Sequence, residues 1–373
     1  MDYKRTAAFI SKDAIRKNII NIRKITDSNA KIMAVIKADG YGHTDTFMAD
    51  VLFENGADWA GVAVPEEGIN LRKHGLTVPI LILGNTLSCY FEDVVKYDLT
   101  QAVCSYEHAV LLSEEAKKQN KTAEIHIKLD TGMHRIGFLP SKESADEIKK
   151  ISQLENIKIT GMFTHFAASD SLDKAYTRLQ QENYRKMLGF LSEAGVDIGL
   201  KHWANSAAIM DLPNEHMDMV RAGIILYGFY PSDEVCKERL PLEPVLTWKA
   251  KVSFVKELNE NQAISYGCTY KTDKKSKIAT VPVGYADGYS RLLSNRGRVI
   301  INGEYADIVG RVCMDQFMAD VTHIPDIKEG DEVILIGKQG DKQVSADEIA
   351  EIMGTINYEV TCLITKRVPR ILI

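Results

Sequence analysis

The stretch IMAVIKADGYGH (32–43) decides how the chain is built. Its five apolar residues, IMAVI, read as a strand buried on both faces, and the run stops abruptly at Lys37. An open doubly wound sheet would carry a G-x-G-x-x-G fingerprint after its first strand, and none follows here. An amine at the tip of a buried strand loses hydration, which disfavours its charged form. Lys37 is either an awkwardly placed surface residue or a nucleophile.

Outward from that stretch, short apolar runs recur. They are WAGVAV (59–64), PILILG (79–84), LTQAVC (99–104), AEIHIKLD (123–130), IKITGMFTH (157–165), LKHWAN (200–205) and MDMVRAG (217–223). Charged stretches with helical spacing separate them, among them KDAIRKNIINIRKI, SYEHAVLLSEEAKKQ and LDKAYTRLQQENYRKMLGFLSEAG, the last ending in a glycine stop. Eight strand–helix alternations predict an α/β fold, a TIM-like (β/α)8 barrel over residues 1–240, with the doubly wound sheet as runner-up.

From residue 241 to 373 the texture changes to a mostly β C-terminal domain, which the first ~10 residues are free to join. VLTWKAKVSFVKEL, KIATVPVG, RVIINGEYADIVGRV and DEVILIGKQGDKQV are strand patterns, and Asn302-Gly303 signals a hairpin. One helix is expected, SADEIAEIMGT (345–355), with Ser345 and Glu348 forming a capping box.

The 373 residues are 45% apolar and 26% charged, with 46 basic against 51 acidic side chains. That balance provides no basic field for nucleic acid or anionic lipid. The opening residues lack a continuous apolar signal segment, and no apolar run approaches the roughly 18 residues of a membrane helix. Cys89, Cys104, Cys236, Cys268, Cys313 and Cys362 are scattered without a C-x-x-C pair, which speaks for reduced thiols and against a zinc site. The expectation is a cytoplasmic enzyme or small-molecule binder with no metal.

Chemistry in such barrels sits where strands end. The polar residues at those ends are Lys37, Lys128 with Asp130, His165, Asn205 with Ser206, and Arg221. Ser206 and the Ala222-Gly223-Ile224 backbone follow the seventh and eighth strands, where barrels often cradle a phosphate. An amine across from a phosphate cradle suggests pyridoxal phosphate held as a Schiff base. Barrels hold many other phosphorylated ligands.

Further motifs then make the chain resemble a known family. IKLDTGMHRIG (127–137), FTHFAASD (163–170), ANSAA (204–208), MVRAGIILYG (219–228), ISYGCTY (264–270), VPVGYADGY (281–289), GRVCMDQ (310–316) and TINYEV (355–360) join VIKADGYGH (35–43) in order. Over nearly its whole length the sequence resembles alanine racemase, a fold-type III pyridoxal-phosphate enzyme. The resemblance implies a barrel followed by a β domain, a head-to-tail homodimer with shared active sites, and supply of D-alanine for peptidoglycan.

It also implies roles. Lys37 matches the cofactor lysine and base on one face of Cα; Tyr266, from the partner subunit, matches the acid/base group on the other. A phenol, with an ordinary pKa of about 10, needs nearby positive charge to ionise. Arg135 is a source of that charge and a substrate-carboxylate ligand. Arg221 matches the residue at the pyridine nitrogen, which beside an arginine stays neutral and favours reprotonation at Cα over transamination. Tyr41, Tyr358, Asn205, Ser206, Gly223 and Ile224 match the cofactor cradle, and His165 the histidine near the ring. Met314, with Cys313 and Asp315, matches the substrate-carboxylate region. Tyr285, Arg291 and Asp315 match an access channel, and Lys128 matches a lysine that many relatives carry as a carbamate.

Each position also has a plain structural reading. Lys37 alone is a strand-end surface lysine, Tyr266 a half-buried strand tyrosine, Arg135 a surface ion pair, Arg221 and His165 barrel lining, Met314 core. The chain departs from the family at TAAFISKD, at TDTFMADVL after YGH, at His134 where glycine is frequent, and at SDSLD (169–173). Some serine-using relatives share such features, whereas Tyr358 fills space that a hydroxymethyl group would need. The expectation is therefore L- and D-alanine interconversion, with serine racemisation as the alternative. A fold-type III decarboxylase and a non-enzymatic pyridoxal-phosphate binder are more remote.

Overall fold

A computed structural model describes residues 3–373. By internal contacts they divide into two units. One holds Ala14–Gly40 and Asp45–Glu243; the other holds the described residues up to Asp13, Tyr41–Thr44 and Pro244–Ile373.

In the first unit, eight parallel strands run Lys31–Val35, Trp59–Val62, Ile80–Ile82, Thr100–Val103, Ala123–Lys128, Ile157–Phe163, Leu200–His202 and Met219–Ala222. Each pairs with its sequence neighbour up to Leu200–His202, and Lys31–Val35 pairs with Met219–Ala222. Between Leu200–His202 and Met219–Ala222 the seam is thinner: Asp218 N–H donates to the Lys201 carbonyl and Arg221 N–H to the Ala204 carbonyl. The result is a nearly closed barrel, as the eight alternations predicted. Met33, Trp59, Leu81, Ala102, Phe163 and Met219, drawn from six strands, fill its interior. Removing such side chains from water is what drives closure. Ser105 and Ser141 cap their helices by accepting from the backbone three residues on. The long helix Ala175–Glu193 stops at Gly195, where φ is +73°.

The second unit is built on a sheet ordered Glu304–Asp307, Arg298–Ile301, Glu332–Gln339, Leu246–Lys251, Thr6–Ile10 and Arg370–Leu372. Phe254–Leu258, Ser276–Val281 and Phe317–Asp320 form a smaller sheet. VLTWKAKVSFVKEL is thus two strands belonging to different sheets, split around Val252-Ser253. Asn302 and Gly303 both take positive φ, +51° and +79°, and close the hairpin between Ile301 and Glu304.

Two expectations need correcting here. Ser345 does cap its helix, accepting from Glu348 N–H at 3.0 Å, but the Glu348 carboxylate turns to Arg298 (2.7 Å) instead of completing the box. A guanidinium in reach outcompetes a backbone amide for an anion. The unit also has a second helix, Asn357–Leu363, which begins within the TINYEV motif and runs past it. Its seven residues are too few for periodicity to reveal. Asp287, fully buried, is held by both terminal nitrogens of Arg5 at 2.9 and 2.7 Å and by Gly284 N–H. Among the described residues no helix is long and apolar enough to cross a membrane.

Candidate active site

Lys37 follows the first barrel strand and opens a left-handed turn: Ala38, Asp39 and Gly40 take φ of 53°, 53° and 60°. Two non-glycine residues there carry strain of order 1 kcal/mol each. The turn is braced by Glu67, whose carboxylate accepts from Ala38 N–H at 2.6 Å and Ala63 N–H at 2.7 Å. The chain therefore swings away sharply after Lys37 rather than running the strand on past it.

Arg221, on the last barrel strand, is buried. Its Nη1 donates to His202 Nδ1 (3.0 Å), and its Nη2 to the carbonyls of Thr164 (2.7 Å) and Trp203 (3.1 Å) and to His165 Nδ1 (3.2 Å). Burial brings its guanidinium down to about 10, still charged at neutral pH. None of these partners is an anion, and its Nε–H meets no acceptor among the described residues. Arg221 also lies over the Phe163 ring at 5.4 Å, as does the Lys128 amine, while His202 stacks on that ring at 4.9 Å. Aromatic faces attract cations where water is scarce.

His165 is pushed well below its ordinary pKa, first by burial and then by the charges of Arg221, Arg135, Lys128 and Lys37. Four cations acting on one imidazole locate the barrel mouth and keep that ring neutral. Lys128, almost fully buried, is brought down to about 8 by burial and next by Arg221, with Arg135 adding to the effect. Arg135 itself is exposed, in a turn shaped by Asp130, whose Oδ1 accepts from Gly132 and His134 N–H.

Beyond the seventh strand, Asn205 caps Ser206–Asp211, accepting from Ala208 N–H at 3.0 Å and from Ser169 Oγ at 2.8 Å. Ser206 Oγ accepts from Gly223 N–H at 3.0 Å, which ties together the loops after strands seven and eight. Ile224 then begins the short helical turn Ile224–Tyr227, whose first N–H groups have no partner within the turn. The result is a hydroxyl and backbone amides gathered at the strand ends, suited to an anion.

The other predicted residues lie in the second unit. Tyr41 and Tyr358 bring their rings to 5.9 Å, and a Cβ on Gly42 would lie 2.3 Å from the Thr361 carbonyl, so that loop packs tightly on Asn357–Leu363. Tyr266 is not on a strand: it occupies the turn Tyr266–Cys268 and is 70% exposed. Ser265 (φ +65°) and Gly267 (φ +72°) flank it, and Ser265 Oγ is anchored on the Arg311 carbonyl. Tyr285 and Ala286 N–H donate to the Cys313 and Met314 carbonyls, so those two motifs interlock. A Cβ on Gly284 would lie within 2.4 Å of both carbonyls, which explains why that position has none. Asp315 pairs with Arg367 at 2.9 Å, and Arg291 opens an exposed turn.

Several participants escaped the sequence. His202 and His126 stand beneath Arg221; Thr164, Thr131 and Gln180 knit the loops after the fifth and sixth strands. Gln180 donates to the His165 carbonyl and accepts from Ala167 N–H. His126 carried a usable signal, since it lies two residues before Lys128 and so points to the same face of the strand. Gln180 carried none, because LQQENY reads as a solvated helix face.

A barrel with its ionisable groups collected at the strand ends is an enzyme scaffold for small ligands. Its sequence matches the models of the alanine racemase N-terminal domain over residues 10–231 and C-terminal domain over residues 245–372. The chain belongs to the alanine racemase family. It is 51% identical over 367 residues to an alanine racemase of Clostridium perfringens, covering 98% of this chain and 94% of that one. The alanine racemase structure of Clostridium difficile 630 superposes with a TM-score of 0.97 at 48% identity, covering 100% and 97%. A histidine racemase from Leuconostoc mesenteroides subsp. sake shares the fold at a TM-score of 0.91 and 29% identity, covering 100% and 99%.

Proposed function

We propose that the protein interconverts L- and D-alanine using pyridoxal phosphate, in the cytoplasm, as a supply of D-alanine for peptidoglycan. The observation that supports this most is Arg221: a buried cation with neutral partners and an unclaimed Nε–H suits a neutral pyridine nitrogen. Ser206, Gly223 and Ile224 suit the phosphate, with Asn205 holding their loop; the family resemblance adds Tyr41 and Tyr358 as cofactor ligands. When bound, the cofactor delocalises the electron pair left at the substrate's Cα. Lys37 would hold the cofactor through its amine and would take or return the Cα proton on one face. Tyr266 of the partner subunit serves the opposite face. Arg135 and the Met314 backbone hold the substrate carboxylate, with Cys313 and Asp315 alongside; Tyr285 and Arg291 line the approach. His165, kept neutral, would neighbour the cofactor without adding charge.

A homodimer fits the exposed apolar side chains. Tyr266, Tyr285, Leu292 and Met314 in one unit, and Leu139, Leu172, Tyr176 and Leu179 in the other, are all more than two-fifths exposed. Apolar groups of this size left at the surface are available to a subunit interface. Substrate choice is tested by following L-alanine and L-serine with detection of each D-product. Turnover of alanine should exceed that of serine by at least about tenfold, the discrimination typical of one added polar group in a tight apolar pocket. Faster serine turnover would overturn the alanine reading, and evolved carbon dioxide would replace racemisation with decarboxylation.

Lys128 we propose to be carbamylated. Its neutral amine attacks the carbon of carbon dioxide, an N–C bond forms, one C=O pair moves onto oxygen, and the amine proton leaves to water. An amine brought down to about 8 is partly neutral near physiological pH, and an anion there would face Arg135 and Arg221. The unmodified side chain has the opposite effect on stability. Its folded pKa lies below its unfolded value, so the burial penalty is fully present below pH 8 and is relieved as pH rises from 8 to the ordinary lysine range. In CO2-free buffer at pH 7, Lys128→Met should therefore stabilise the protein by up to about 3 kcal/mol in urea. Bicarbonate should raise the wild-type midpoint and leave the variant unchanged. No bicarbonate effect, and no 13C label retained at Lys128, would remove the carbamate.

A further inference from the structure

Beneath Arg221 lies a buried pair of imidazoles whose protonation the guanidinium dictates. Arginine can only donate, so His202 Nδ1, 3.0 Å from Nη1, must accept and carry no proton. The neutral ring then has its proton on Nε2, which donates to His126 Nδ1 at 2.9 Å. His126 in turn carries its proton on Nε2, and that atom is buried without an acceptor. The chain of donors thus runs one way, from Arg221 through His202 to His126, and ends there.

The backbone is shaped for the last member. The pairing of Ala123–Lys128 with Ile157–Phe163 shifts register after Ile125, so that Gly161 stands opposite His126. A Cβ on Gly161 would lie 2.5–2.7 Å from three atoms of the His126 ring. An irregular register has placed the one residue without a side chain where the ring must lie. The Trp59 ring, 5.2 Å away, packs near it.

We infer that His126, seated over Gly161, is a positioning residue for Arg221: by accepting from His202 Nε2–H it fixes the one tautomer of His202 that Arg221 can donate to. Without that acceptor, the buried Nε2–H would be unsatisfied. Moving the proton to Nδ1 would then set an N–H against the Nη1 donor and turn the guanidinium away. His126 touches neither substrate nor cofactor. Its effect on turnover rests on the reading of Arg221 as the ring-nitrogen ligand, whereas its effect on His202 does not.

The test uses the full-length holoenzyme with 15N-labelled histidine and two nearly isosteric variants, His126→Leu and His126→Asn. Asparagine places an oxygen acceptor near the former Nδ1; leucine places none. In the wild type, 15N shifts between pH 6 and 9 should show both rings neutral and protonated on Nε2. His126→Leu should give His202 an Nδ1–H population, and kcat should fall about tenfold with KM within about twofold, the size of one lost buried hydrogen bond. His126→Asn should retain the Nε2–H form of His202 and recover most of kcat. A wild-type His202 that titrates in this range or carries Nδ1–H would overturn the inference, even if neither variant folds. Equal losses in the leucine and asparagine variants would overturn it too. A protein that shows the expected tautomers but no racemisation would instead count against the proposed function alone.

Discussion

Lys37→Ala should abolish the visible absorbance of amine-bound pyridoxal phosphate and reduce alanine racemisation by at least about 10^4-fold, the scale of losing a nucleophile that no neighbour replaces. The barrel mouth holds two other side-chain cations that bear on His165 from strands and loops, Lys128 and Arg135, besides Arg221. Of these only Lys128 is an amine, and it is turned onto the Leu129 carbonyl, over the Phe163 ring. It is therefore placed to influence the reaction electrostatically but not to take over the aldehyde. An unchanged absorption band in Lys37→Ala would mean that another lysine anchors the cofactor, and the assignment of the first βα turn would fail. The left-handed turn at Ala38-Asp39-Gly40 strengthens the expectation, because it spends backbone strain at the point where Lys37 leaves the strand.

How far the sequence discloses this arrangement depends on the range over which each feature is encoded. The barrel strands are legible because a buried parallel strand must be apolar along its length, so a lysine, histidine or arginine at its end stands out at once. Lys37, Lys128, His165 and Arg221 are all visible in that way. The pair His126–His202 is not, since 76 residues separate them and only barrel closure makes them neighbours. Glu348 illustrates the opposite case: its spacing from Ser345 spells a capping box, but Arg298, on a distant strand, takes the carboxylate. Tyr266 reads as a strand tyrosine from ISYGCTY, yet three of the four residues from Ser265 to Cys268 adopt positive φ and make it an exposed turn. Local pattern reports periodicity, whereas such turns are fixed by anchors elsewhere, here the Ser265 hydroxyl on the Arg311 carbonyl.

Tyr266→Phe should impair the two directions unequally, lowering α-proton removal from one enantiomer by about 10^2-fold or more while the other direction retains its isotope exchange, as loss of one general acid/base group requires. Measured with α-deuterated L- and D-alanine, equal losses would argue for a single base serving both faces. The origin of the phenol can be read separately. In a symmetric dimer with shared sites, each site takes Lys37 from one chain and Tyr266 from the other. Mixing Lys37→Ala with Tyr266→Phe chains and allowing exchange makes half of the dimers hybrids, each with one site lacking both groups and one intact. Activity should therefore recover to about a quarter of the wild-type level per chain, from two almost inactive parents. If the phenol came from the same chain as the lysine, every hybrid site would lack one group and mixing would restore nothing. Demonstrated exchange without recovery would thus return Tyr266 to its own subunit, where a side chain 70% exposed has no evident work.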